Sequence, residues 1–214
     1  MEKEYKNLGF VLLILIPITI FGFLKSYLSG FPDFEKDPGT AIHFHFTISA
    51  IWIVLFIVQP ISVRFKKFTL HKTLGKLSYL LFVLLMISFI PLFIEQIEYN
   101  YLPLTILTTS DMVSVVLFYG LAIYYKRNIP IHIRYMIVLS IVFALPAIGR
   151  IFMNWLGFSL IENMIAGYVI LISLLIVLII LDKKKKKNVK PYLLGVVFFT
   201  LKQFVFILAF YKVI

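Results

Sequence analysis

Cysteine is absent from the 214 residues. This excludes a disulfide framework, a thiolate metal site, an iron–sulfur cluster and a cysteine nucleophile. Charge is scarce as well. Only 14% of residues are Asp, Glu, Lys or Arg, against about a quarter in water-soluble domains, which argues against a soluble globular enzyme. The ten glycines are scattered singly, so neither a phosphate-cradling loop nor a dinucleotide-binding fingerprint is present, and no serine-triad pattern occurs.

What the chain does have is apolar mass. Hydrophobic residues make up 61%, with 22 Phe and 12 Tyr, and the mean hydropathy is +0.99. Such a composition buries too well for intrinsic disorder. The net charge of +11 is not spread over a face. Five of the 21 basic residues form one run, Lys183–Lys187, and most others flank apolar segments. That placement reads as a membrane orientation signal and excludes nucleic acid as a partner.

Crossing a hydrocarbon core takes about 20 apolar residues in a helix. Seven segments qualify: Leu8–Leu28, Ile42–Val63, Thr73–Phe93, Leu102–Tyr125, His132–Trp155, Leu160–Leu181 and Tyr192–Val213. The expected fold is therefore all-α, a bundle of seven transmembrane helices forming one integral membrane domain over 1–214. Pro17 and Pro146, in the first and fifth segments, predict kinks rather than breaks. Lys and Arg alternate loop by loop, sixteen on one side and four on the other, with Lys3 and Lys6 in the first group and Lys25, Lys36, Arg150 and Lys212 in the second. The positive-inside rule then places the N-terminus in the cytoplasm and the C-terminus outside, in a bacterial-type cytoplasmic membrane. The first segment is read as an uncleaved anchor, because no A-x-A-like cleavage site follows it. Lipid is the obvious partner, with anionic headgroups expected at Lys183–Lys187. Loops are short, so any chemistry must lie within the membrane or at its surfaces.

Polar groups inside spans are expensive and are therefore the candidate functional residues. Asp111, in Thr108-Thr109-Ser110-Asp111, lies about 13 Å below the start of its segment at 1.5 Å per residue. Arg150 and Lys202 are the two cations able to reach it. His45, Ser49, Trp52 and Gln59 follow i, i+4, i+7, i+14 and share one helix face. His43, two residues from His45, points about 200° away, so the two cannot hold one ion from a regular helix. At the cytoplasmic level, His71 with Lys72, Gly75 and Lys76 opens the third segment, and His132 with Arg134 and Tyr135 opens the fifth. Arg150 follows His132 by 18 residues, five whole turns, and shares its face.

These motifs carry a resemblance. Gln59…Arg64…His71-Lys72-x-x-Gly75-Lys76 is similar to the Q…R…H-R-x-x-G-R signature of a family of bacterial multi-pass membrane proteins of unknown function. His132-x-Arg134-Tyr135-Met136…Arg150 resembles that family's H-R-R-W-M…R motif, with the same spacing from His to the last Arg. Lys72 and Lys76 stand for Arg, Tyr135 for Trp, and Ile133 for a basic residue. The resemblance covers about residues 42–150, implies a bacterial membrane protein, and supports the choice of residues without defining chemistry.

Three functions fit. The leading one is a redox protein with a single haem b at the cytoplasmic face, ligated by His71 and His132, with Lys76 and Arg134 pairing its propionates. The second is a small-solute or proton-coupled transporter using a track of Asp111, Arg150 and Lys202, joined by His45, Trp52 and Gln59. The third is a non-enzymatic assembly or lipid-interacting protein. A membrane zinc hydrolase would need about three histidines and an acid around one ion. The four histidines here divide between the two membrane faces, and no metal site is expected.

Overall fold

The structure is a computed structural model that describes residues 5–35 and 37–212. Lys3, Lys36 and Val213, counted above in the charge bias and the last span, lie outside the described residues. Among the described residues there are seven apolar helices, α1 (Leu8–Leu24), α2 (Thr40–Arg64), α3 (Phe68–Glu98), α4 (Leu102–Tyr124), α5 (Ile129–Leu156), α6 (Leu160–Lys184) and α7 (Lys190–Phe210), and a short 3₁₀ turn at Leu28–Gly30. Helices α2 to α7 are each long and apolar enough to cross a membrane, so the protein is a multi-pass helical membrane protein. Helix α1 is shorter and tightens into a 3₁₀ turn at Leu12–Ile14.

Local chemistry, rather than hydropathy, sets the helix limits. Proline occupies the first turn of α4, α5 and α7, where its missing N–H costs nothing. Asn128 caps α5, and Gly157 ends it at φ 72°, a left-handed conformation that glycine adopts freely. Ser159 and Glu162 form a capping box at the start of α6. Helix α3 begins at Phe68, five residues before the expected Thr73, whereas α1 stops at Leu24, short of the expected Leu28. Besides Pro17 and Pro146, Pro60 and Pro91 also lie inside helices.

Consecutive helices pack antiparallel. Helix α5 lies at the centre and touches α1, α2, α4, α6 and α7. The two ends of the bundle differ in charge: one carries Asp33, Glu35, Glu95, Glu98 and Glu162, the other Arg64, Lys126, Arg127 and Lys183–Lys187. They are called here the acidic and the basic end. Helix α1 traverses the full depth between them. Asn7, just before it, meets Arg64 at the basic end (3.4 Å), and Lys25, just after it, donates to the Asn154 carbonyl at the acidic end (2.9 Å).

Polarity is distributed as a lipid solvent requires. Val54, Leu80, Val116, Val169 and Leu201 are exposed, while Ser78, Ser88, Ser114, Ser140, Asn163, Arg134, Asp182 and Lys202 are buried between helices. The centre is aromatic. Trp52 (1% exposed) meets Tyr119 edge-on at 5.2 Å, and Phe118 stacks on Phe199 at 5.4 Å.

Candidate functional site

Helices α1 to α6 leave a partly enclosed cavity of about 650 Å³ in the acidic half of the bundle. That volume falls within the range of about 300–1,000 Å³ typical of small-molecule sites. Most of its wall is apolar, with Phe46, Phe89 and Phe143 among the larger groups. Its polar lining includes His45, Ser49, Asp111, Arg150, Asn163 and Tyr168, contributed by α2, α4, α5 and α6. Trp52 and Tyr119 pack in the core on the basic side of these residues.

His45, Asp111 and Arg150 are each held by specific neighbours. Ser88 donates its hydroxyl proton to the Leu85 carbonyl (2.7 Å), so it accepts from His45 Nδ1–H (2.9 Å). The Phe89 ring meets the imidazole edge-on at 4.7 Å. The other ring nitrogen, Nε2, has no hydrogen-bond partner among the described residues. Asp111 takes a hydrogen-bonded ion pair from Lys202 of α7, whose side chain is 3% exposed. Lys202 Nζ also lies 5.7 Å from the Tyr168 ring centroid. Of the two cations able to reach Asp111, the structure selects Lys202. Arg150 is turned instead against Phe23 of α1, 4.4 Å from its ring centroid, and donates to the Pro146 carbonyl at 3.2 Å. His45 remains within electrostatic reach of both Arg150 and Asp111.

The polar stripe of α2 is a helix seam rather than a single track. His45 bonds Ser88, Trp52 Nε1 donates to the Leu81 carbonyl (3.3 Å), and the Gln59 amide bonds the backbone at His71 (3.2 Å) and Gly75 (2.9 Å). Each of these hydrogen bonds is with α3, in one antiparallel register. Only the upper members of the stripe reach the cavity. Trp52 is core, and Gln59 ties α2 to the start of α3, which brings together Gln59, His71 and Gly75 of the sequence motif. His43 faces away, as the helical rotation requires. It accepts from the Tyr27 hydroxyl (2.6 Å) and contacts Asp37 (3.2 Å). The Gly39 amide and the His43 imidazole hold the Asp37 carboxyl below its usual range.

At the basic end, His132 Nδ1–H donates to the Ala122 carbonyl (2.8 Å), and His71 Nδ1 lies 3.3 Å from the Gln59 carbonyl. The two imidazoles are within electrostatic range of each other. Lys76 is exposed beside this level. Arg134 is not at the surface with it. It is completely buried, donates to Asp182 at 2.6 Å and to the Pro130 carbonyl at 2.7 Å, and lies 5.2 Å from the Tyr5 ring centroid. Tyr5 in turn donates to Asp182 (2.9 Å) and contacts the Tyr192 hydroxyl (3.0 Å). Burial pushes the Tyr5 phenol up to about 12. The Arg134 guanidinium thus forms a buried ion pair that draws α5, α6 and the N-terminal segment together.

Asp182, Tyr5 and Asn163 escaped the sequence reading. Asp182 precedes the lysine run and resembles an interfacial residue, and Asn163 sits one position after Glu162 in a first turn. Neither position signals burial. Compared with family models, curated proteins and solved structures, the chain shows no significant match to any of them.

Proposed function

We propose that the protein is a small-solute carrier of the bacterial cytoplasmic membrane, with seven spans, its N-terminus in the cytoplasm and its cavity facing outward. One observation carries this reading: a cavity of about 650 Å³ within the bundle gathers His45, Asp111 and Arg150, three of the costly intramembrane groups, on an otherwise apolar wall. The aromatic core around Trp52 and Tyr119 separates that cavity from the basic end, which is the arrangement of an outward-open carrier. The passage of α1 from Asn7 to Lys25 across the whole bundle supports the seventh span, and the charge difference between the two ends supports the orientation. The Lys183–Lys187 run would meet anionic headgroups of the inner leaflet.

The chain has no cysteine, so Ser49→Cys in the cavity wall gives a single reporter. A charged, membrane-impermeant thiol reagent should modify it from outside, and from inside as well once the protein cycles. Modification from outside alone would leave a binding protein without transport. No modification from either side would overturn the cavity reading.

A second reading, one haem b between His71 and His132, has its own support. Nδ1 anchoring on the Ala122 carbonyl leaves His132 Nε2 available for ligation, in the manner of metal-binding histidines. Protein purified from haem-supplied cells decides it: a Soret band lost in both His71→Ala and His132→Ala favours haem, and a flat visible spectrum of the unaltered protein ends the reading.

A further inference from the structure

The charges around the cavity do not cancel. Asp111 is the acid lining it, and Lys202 neutralises Asp111. Arg150 is then left with a full positive charge and no carboxylate within 4.0 Å among the described residues. Its one hydrogen bond goes to a backbone carbonyl and one face is covered by Phe23, so it retains N–H donors without protein acceptors. A cation in so apolar a setting is costly unless an anion joins it.

A second polar group points the same way. Asn163 is 3% exposed, yet its side chain makes no hydrogen bond among the described residues: besides the buried Oδ1, which a carboxylate cannot satisfy, its Nδ2 amino group is a donor without an acceptor. It lies against Gly149, the residue next to Arg150, where a Cβ would come within 3.0 Å of that oxygen. The missing side chain at 149 thus lets the Asn163 amide pack on α5 one residue from Arg150, and both residues line the cavity. An amide donor with no acceptor and an unmatched guanidinium on one cavity wall describe a site that a ligand completes.

From this juxtaposition we propose that the solute is an amphipathic organic monoanion, a carboxylate on an apolar body, with the carboxylate on Arg150 and Asn163 and the body against Phe89 and Phe143. The proposal rests on the carrier reading and gives its substrate class. One unmatched guanidinium suits one carboxylate, which it can engage through two parallel N–H···O bonds. A phosphate dianion would bring a second charge toward Asp111. A cation would meet Arg150 directly, and a neutral molecule would leave the guanidinium unmatched.

Three probes sharing one ring system test the charge: 2-naphthoate, its neutral amide, and 2-naphthylmethylamine. Binding is measured by calorimetry on the full chain in nanodiscs of uncharged lipid. Naphthoate should bind at least about tenfold more tightly than the amide, the difference expected of a charge-assisted pair. Arg150→Gln should abolish that preference while leaving amide binding intact, and Asn163→Ala should reduce it. Equal or tighter binding of the amide or the amine to the unaltered protein overturns the proposal, whether or not either variant folds. If none of the three binds, the carrier reading fails too; binding without anion preference sinks the substrate class alone. Adding oleate to the disc distinguishes the source. Displacement of naphthoate assigns the carboxylate to the bilayer, and its retention assigns it to water, with the anion assignment standing in both cases.

Discussion

Asp111 and Lys202 depend on each other more than any other pair near the cavity. Lys202 is nearly sealed from solvent (3% of its side chain exposed), whereas Asp111 keeps 26% of its own on the cavity side. Removing the carboxylate strands an ammonium in apolar surroundings, and breaking a buried pair in this way costs about 3–5 kcal/mol. Asp111→Asn should therefore lower the thermal unfolding temperature in detergent markedly. Adding Lys202→Met should restore much of the loss, while adding Arg150→Gln should restore none. A double-mutant cycle with no coupling between 111 and 202 would refute the pairing. Asp111 was conspicuous in the sequence because an acid so deep in a span is rare. Its partner was not, because the side chains of both Arg150 and Lys202 could extend to it and the choice depends on helix rotation, which only packing defines. Arg134 shows the opposite failure. Its position beside a span end made it look like an orientation signal, but Asp182 on a helix 48 positions away draws it completely inside.

At the scale of the helix, α1 is held close to α5 by a glycine. Gly22 lies directly on the α5 backbone at Ala147, and the Cβ of any other residue there would collide with backbone atoms that cannot rotate away. The close approach also lets the next residue, Phe23, cover Arg150. Gly22→Val should push α1 off α5 and destabilise the fold by about 1–3 kcal/mol, the usual cost of overpacking. The same displacement should loosen the bond from Trp155 Nε1 to the Phe21 carbonyl, 3.2 Å in the native structure, and shift tryptophan emission to the red. An unchanged unfolding temperature and emission would show that α1 is not held there. Helix number and order were legible in the sequence, since apolar runs of sufficient length admit no other folding in lipid. The boundaries were less so. Hydropathy ignores the first-turn prolines that start α5 and α7 two or three residues outside the apolar runs. The polar face of α2 was legible as a stripe, but not as a seam with α3, since periodicity gives a direction without naming the neighbour that lies there.

For the whole molecule, sidedness decides whether the cavity faces the outside or the cytoplasm, and it rests on the charge difference between the two ends. Inserting one cysteine at a time into the cysteine-free chain makes sidedness measurable without background. Ser29, Glu98 and Tyr211 are exposed at the acidic end, and Lys6, Arg127 and Lys184 at the basic end. In intact cells, an impermeant thiol reagent should label Ser29→Cys, Glu98→Cys and Tyr211→Cys. The other three should react only after the membrane is opened. Lys6→Cys carries the most information, because it tests α1 separately from the six long helices. About 25 Å of helix at 1.5 Å per residue falls a little short of a hydrocarbon core of about 30 Å. Local thinning of the bilayer, or the reach of Lys25 and Lys6 to the interfaces, can close that gap. If α1 crosses, Lys6→Cys will share the protection of Arg127→Cys. If it folds back along the surface, Lys6→Cys will react together with Ser29→Cys, and the count of spans falls to six. The proposed seven-span topology, argued from the contacts of Asn7 with Arg64 and of Lys25 with Asn154, expects the first result.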